Sequence, residues 1–153
     1  MSRSAAGTVE SMSDSIATAE VDISASPGQV WQALTEPEQI AKYLFGSQVT
    51  TTWEPGSGIT WEGEYDGRSY RDHGEVVEVE PERRLVVTHF SPLTGQPDVP
   101  ENYHRVTYQL TDGGDHTHLR VDQDNAGPEQ ARQESESTWR VVLGGLKELV
   151  EAG

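Results

Sequence analysis

Two side chains in the stretch GEVVEVEPERRLVVTHF, residues 74–90, sit oddly in an otherwise regular hairpin pattern. Val77, Val79, Leu85 and Val87 alternate with Glu78, Glu80, Val86 and Thr88, as strands with one buried face do. One step further along that face stand Glu75 and His89. If Val79 pairs with Leu85 across the PERR turn, Val77 falls opposite Val87 and Glu75 opposite His89, with Cβ atoms ~5 Å apart. A carboxylate at that distance fixes the imidazole tautomer and favours its charged form. Ligand recognition or acid–base catalysis is the chemistry such a pair suits.

The same alternation collects further candidates. His73 lies two residues from Glu75 on the same expected face, and His104 shares an inner face with Val106, Tyr108 and Leu110. Gln123 does so with Leu119 and Val121. Trp61 and Tyr65 face inward in ITWEGEY, and Trp139 and Leu143 lie on a C-terminal helix above them. Aromatic walls with a few converging polar groups are the usual make-up of a small-molecule site. The competing reading is a hydrogen-bonded polar cluster at the end of the sheet with no task beyond its own satisfaction.

Other chemistries find less support. A metal site built from His73, His89, His104 and Glu75 has suitable residue types but no compact ligand spacing, so neither metal nor cofactor is expected. The sequence carries no glycine-rich phosphate loop, no G-x-S-x-G and no H-E-x-x-H. His116 and His118, at a turn and on an outward strand face, are expected to be exposed.

These residues must be positioned by a scaffold, and its elements are readable in order. Ile16 to Ser24 alternates, with Ala17, Ala19, Val21 and Ile23 on the buried side. Ser26, Pro27 and Gln29 form a capping-box variant that opens a short helix with Val30, Trp31 and Leu34. Pro37 opens a second, carrying Ile40, Tyr43 and Leu44. Period-two segments follow at 49–53, 59–65, 70–79, 85–90, 103–110 and 117–124, separated by turn chemistry such as DGR and TDGGDH. From Pro128 to Val150, Ala131, Ser135, Thr138, Val142, Leu146 and Leu149 recur at helical spacing. Gly144-Gly145 interrupts that helix and suggests close backbone approach or a bend.

Seven antiparallel strands curled around one long helix cannot fill their own interior, and the first half of this helix is polar even on its inward side. The fold class expected is α+β with a cavity between helix and sheet. The chain has 153 residues, suited to a single domain over 16–150, with a disordered polar tail over 1–15 in which Met12 offers an alternative start. Its 26 acidic residues against 11 basic ones give a net charge of −15, which repels phosphate backbones and anionic membrane surfaces. Nucleic-acid binding is therefore not expected. No apolar run reaches the ~20 residues of a membrane helix. Cysteine is absent, which excludes disulfides and thiolate chemistry and fits a cytoplasmic location.

The order of elements, together with ISASPGQVWQALTEPEQIAKYL, GEVVEVEPERRLVVTHF, YHRVTYQL, HLRVDQ and STWRVVLGGLKELV, resembles the START-like (SRPBCC, birch-pollen-allergen-like) superfamily. Within it, the activator-of-heat-shock-protein-90-ATPase homologue family is the most similar branch. The resemblance implies a helix-grip fold over roughly residues 16–150. It implies a binder of a small hydrophobic or aromatic molecule, a polyketide-cyclase-like or hydrolase-like enzyme using Glu75, His89 and His104, or a chaperone-ATPase-activating module. Small-molecule binding is the leading expectation, as a monomer or homodimer. Against a chaperone partner, a lone domain is expected, without the additional one that eukaryotic activators carry. Members often have Trp at the position of His89 and His at that of Gln123.

Overall fold

The computed structural model describes residues 15–153; the expected tail lies almost wholly outside the described residues. Strand β1 (Ala17–Ile23) leads into α1 (Pro27–Thr35) and α2 (Pro37–Tyr43). Six more strands follow: β2 (Gln48–Thr50), β3 (Gly58–Tyr65), β4 (Arg68–Glu80), β5 (Arg84–His89), β6 (His104–Asp112) and β7 (Thr117–Gln123). The long helix α3 (Glu129–Ala152) closes the chain. The strands form one antiparallel sheet in the order β1-β7-β6-β5-β4-β3-β2, curved around α3. The architecture is α+β, as expected.

Local chemistry sets the helix starts. Ser26 Oγ accepts from the Gln29 amide and Gln29 Oε1 accepts from the Ser26 amide, a reciprocal capping box with Pro27 at the first helical position. The Tyr43 hydroxyl of α2 donates to the Ala33 carbonyl of α1, 2.8 Å away, and locks the two short helices together. α2 also crosses α3 closely. A Cβ added at Gly145 would stand 3.3 Å from Tyr43 Cβ, so close approach accounts for this glycine, whereas Gly144 meets nothing within 4 Å.

The packed core occupies one end of the sandwich. Val142, Leu143, Leu146 and Val150 of α3 are buried against Ala19 and Ile23 of β1 and Leu119 and Val121 of β7. Fully burying each such Leu or Val contributes roughly 1.5–3 kcal/mol.

The register of the β4–β5 hairpin differs from the expected one. Val79 does pair with Leu85, but Val76, not Val77, pairs with Val87. One extra residue sits on β4 between them, a β-bulge that puts Val77 and Glu78 across from Val86 alone. Because side chains alternate at a period of two, one inserted residue exchanges the faces of everything beyond it. Val76 is therefore fully buried, and Glu75 is exposed. Gly74 is needed where β4 then bends toward β5, since a Cβ there would lie 1.8 Å from the Thr88 carbonyl oxygen. The segment expected as a strand over 49–53 is also shorter, ending at Thr50, and Trp53 takes a left-handed φ of 64°.

Candidate functional site

At the other end of the sandwich, the helix and sheet do not meet. The inward positions of the first half of α3 are Ala131, Ser135 and Thr138, too short to reach the strands opposite. A cavity of about 570 Å³ opens between them. Trp61, Val87, Val106 and Tyr108 form its sheet wall, and Trp139 and Val142 close its helix wall toward the core. Leu44 and Phe45, following α2, and Leu93, in the loop after β5, line it from outside the sheet. Phe45 and Leu93 are exposed apolar side chains, and Phe45 holds a left-handed φ of 55°.

The polar groups of the cavity converge around His89. Its Nε2 lies 2.9 Å from Asp72 Oδ2. The bulge places Asp72 there: with His73 opposite Phe90 and Val76 opposite Val87, Gly74 faces His89 directly and Asp72 is the diagonal neighbour. Asp72 also pairs across the other side of β4 with Trp61, whose indole edge meets the His89 ring with centroids 4.9 Å apart. An ionised carboxylate only accepts, so this bond keeps the proton on Nε2 and leaves the Nδ1 lone pair as the ring's basic site. Asp72 is 15% exposed and His89 31%. Asp72 Oδ1 is buried and has no hydrogen-bond partner among the described residues.

A second polar connection ties helix to sheet. Trp139 Nε1 donates to Gln123 Oε1 over 2.7 Å, and the Trp139 ring meets Tyr108 edge-on at 6.0 Å. Burial pushes the Tyr108 phenol well above its ordinary pKa, so it stays a neutral hydroxyl on the cavity wall. The Ser47 and Tyr70 hydroxyls share a hydrogen bond at the cavity edge, 2.5 Å long.

Of the residues singled out in the sequence, Trp61, His89, Tyr108, Gln123 and Trp139 line the cavity. His104 stands beside them, its ring 6.4 Å from that of His89, with Nδ1 donating to the Asp124 carbonyl at 3.1 Å. Leu143 is buried in the core and does not line the cavity. Tyr65 pairs with Arg68 at the end of β3, and its side chain lies outside the described ones.

Besides Leu143, two further candidates require correction. Glu75 is exposed and does not meet His89; its amide instead donates to Thr88 Oγ1. His73 also faces away from the cavity, where its Nε2 lies 3.1 Å from Asp98 and its ring packs on Phe90 and Tyr103. The bulge reverses both. It equally separates Glu75 and His73 from His89 and His104, so those four residues do not form one cluster.

The profile of the family described as Activator of Hsp90 ATPase homolog 1-like protein matches residues 24–151. The chain belongs to this family. The solution structure of ChR145 from Cytophaga hutchinsonii is 42% identical and superposes with a TM-score of 0.80, over 90% of this chain and 94% of that one. DynU16, from the dynemicin biosynthetic locus, is 24% identical with a TM-score of 0.75 over 90% of this chain and 48% of its own. The Aha1 dimer of Colwellia psychrerythraea is 21% identical, with a TM-score of 0.70 over 89% of this chain and 96% of that one. The last two likenesses show the fold alone. No curated protein matches the sequence.

In this member of the Activator of Hsp90 ATPase homolog 1-like family, the residue that sequence reasoning misses is Asp72. A signal for it exists. Val76-Val77 is an apolar doublet inside an alternating strand, and Gly74 stands close by, the composition of a bulge. Among the described residues no helix is long and apolar enough to cross a membrane.

Proposed function

We propose that this domain binds a small hydrophobic or aromatic molecule in the cavity between α3 and the sheet. The observation that carries the reading is the cavity itself. Its volume of about 570 Å³ falls within the ~300–1,000 Å³ usual for ligand sites. Trp61, Tyr108 and Trp139 supply large rigid faces, and the Asp72–His89 pair and Gln123 supply orientation. A packed interior would cost the protein less, since an unfilled apolar wall forgoes its dispersion contacts. Native mass spectrometry of the purified protein tests this by finding a retained compound. A thermal-shift panel of aromatic and acyl compounds serves equally, because a ligand at ~100 times its dissociation constant adds ~2.7 kcal/mol. No retained compound and no shift across a diverse panel would refute it.

A second reading is favoured by the Asp72–His89 geometry. Asp72 orients the imidazole through Nε2, which leaves Nδ1 to take or give a proton, the arrangement of a general base with its positioning carboxylate. In this reading a cyclase-like or hydrolase-like reaction uses His89 and Asp72, and Glu75 plays no part. Turnover of a bound compound that is lost in His89→Gln, with its binding retained, separates catalysis from binding.

A further inference from the structure

The charges around the cavity are unbalanced. Three carboxylates line it: Asp72 from β4, Glu64 from β3 and Glu134 from α3. Among the described residues no lysine or arginine does, and His89 is the only lining residue able to carry a positive charge. Two arginines of the strand and helix that carry these carboxylates are committed elsewhere. Arg71 of β4 pairs with Glu62 at 2.9 Å, and Arg132 of α3 pairs with Glu136 at 2.9 Å and with Glu129 at 3.8 Å. Glu64 and Glu134, in contrast, have no ion-pair partner among the described residues.

We infer that the cavity selects an apolar, aromatic molecule carrying a protonated amine and discriminates against anionic ligands such as carboxylates. The inference rests on the cavity-binding reading above and names the ligand class. First, Asp72 is largely buried with one oxygen unpartnered, so its charge is compensated by His89 on one side only. A buried charge with an unmade hydrogen bond is costly, and a cation nearby relieves that cost. Second, Trp61, Tyr70, Tyr108 and Trp139 offer aromatic faces, which attract an ammonium group and replace part of the hydration it loses. Third, the chain's net charge of −15 surrounds the cavity with a field that concentrates cations and repels anions before contact. An anion would meet three carboxylates with at most one imidazolium to offset them, and like charges brought together across a binding site are strongly discriminated against.

The test uses three probes that share one ring system and differ in charge: naphthylmethylamine, naphthylmethanol and naphthoate. Their dissociation constants are measured by tryptophan fluorescence and calorimetry on the intact chain at low and moderate salt. The amine is expected to bind at least tenfold more tightly than the alcohol, and naphthoate more weakly than either. Added salt should narrow the gap between amine and alcohol. In Glu64→Gln/Glu134→Gln, whose changes are on exposed side chains, the amine's advantage over the alcohol should shrink severalfold. Asp72→Asn should shrink it further. If that variant does not fold, the wild-type series and the rim variant decide alone. Equal binding of amine and alcohol, or tightest binding of naphthoate, overturns the charge selection and leaves the cavity reading standing. If none of the three binds the wild-type protein, while the broader panel also shifts nothing, the cavity reading falls and this inference with it.

Discussion

One helix covers one sheet, yet its two ends do opposite things. The second half of α3 sends Val142, Leu143, Leu146 and Val150 into the strands, and the space between is filled. The first half presents Ala131, Ser135 and Thr138 at the equivalent helical positions, and a cavity remains. The sheet differs in the same sense: Leu119 and Val121 lie under the filled end, while Trp61, Tyr108 and the Asp72–His89 pair lie under the hollow one. The difference teaches that the hollow is written into side-chain size along a continuous element. No gap in the backbone is needed. Stability comes from one end, and the other is the end proposed to receive a ligand.

Substitutions at matched places sharpen that contrast. Leu146→Ala at the filled end removes a fully buried side chain and should cost about 2–5 kcal/mol in denaturant unfolding. Ser135→Leu at the hollow end adds apolar volume where space exists. It should change stability by less than about 1 kcal/mol while lowering the affinity for naphthylmethanol at least tenfold. A large stability loss in Ser135→Leu would mean that the hollow end is already packed.

The bulge in β4 gives the next test. Val76→Ala should cost about 1–3 kcal/mol, and Val77→Ala clearly less, because only Val76 faces the core. The reverse order would restore the regular register and return Glu75 to the interior. On the same logic, Asp72→Asn should displace the His89 ring resonances in NMR spectra, whereas Glu75→Gln should leave them where they are.

What is legible in the sequence follows from the period of each element. β5, β6 and β7 alternate without interruption, so simple alternation assigns His89, Tyr108 and Gln123 to the correct face. The polar inward side of the first half of α3, set against a curled sheet, points to unfilled space between them, where Ala131, Ser135 and Thr138 stand. In β4 the alternation misleads beyond Val77, because a strand's parity is a running count: one unrecognised residue inverts every later position. Glu75 and His73 therefore read as inward, and Asp72 reads as outward. Phe45 and Leu93 come from connecting segments, which have no period that predicts what they face.

A smaller effect belongs to the outer face, far from the cavity. His118 donates to Asp22 through Nδ1 and to Glu20 through Nε2, each at 2.7 Å, and these two carboxylates raise its pKa above 6.5. The His118 bond correspondingly lowers the pKa of Asp22. A raised folded-state value means that the imidazolium's contribution to stability is complete below pH 6.5 and is lost as pH rises through the folded value. The effect is modest, since the ring is 37% exposed. Stability measured across that window should therefore decline slightly with rising pH in the wild type, and His118→Gln should remove this part of the decline.

The central claim, that the hollow end of the sandwich receives a ligand, is tested most directly by following the four tryptophan indole resonances during titration with naphthylmethanol. Trp61 and Trp139 line the cavity, and the Trp139 indole is bonded to Gln123 within it, whereas Trp31 and Trp53 do not line it. The account predicts saturable shifts of Trp61 and Trp139, with Trp31 and Trp53 nearly still. Shifts confined to Trp31 and Trp53, or four resonances that stay fixed up to the probe's solubility limit, would contradict it.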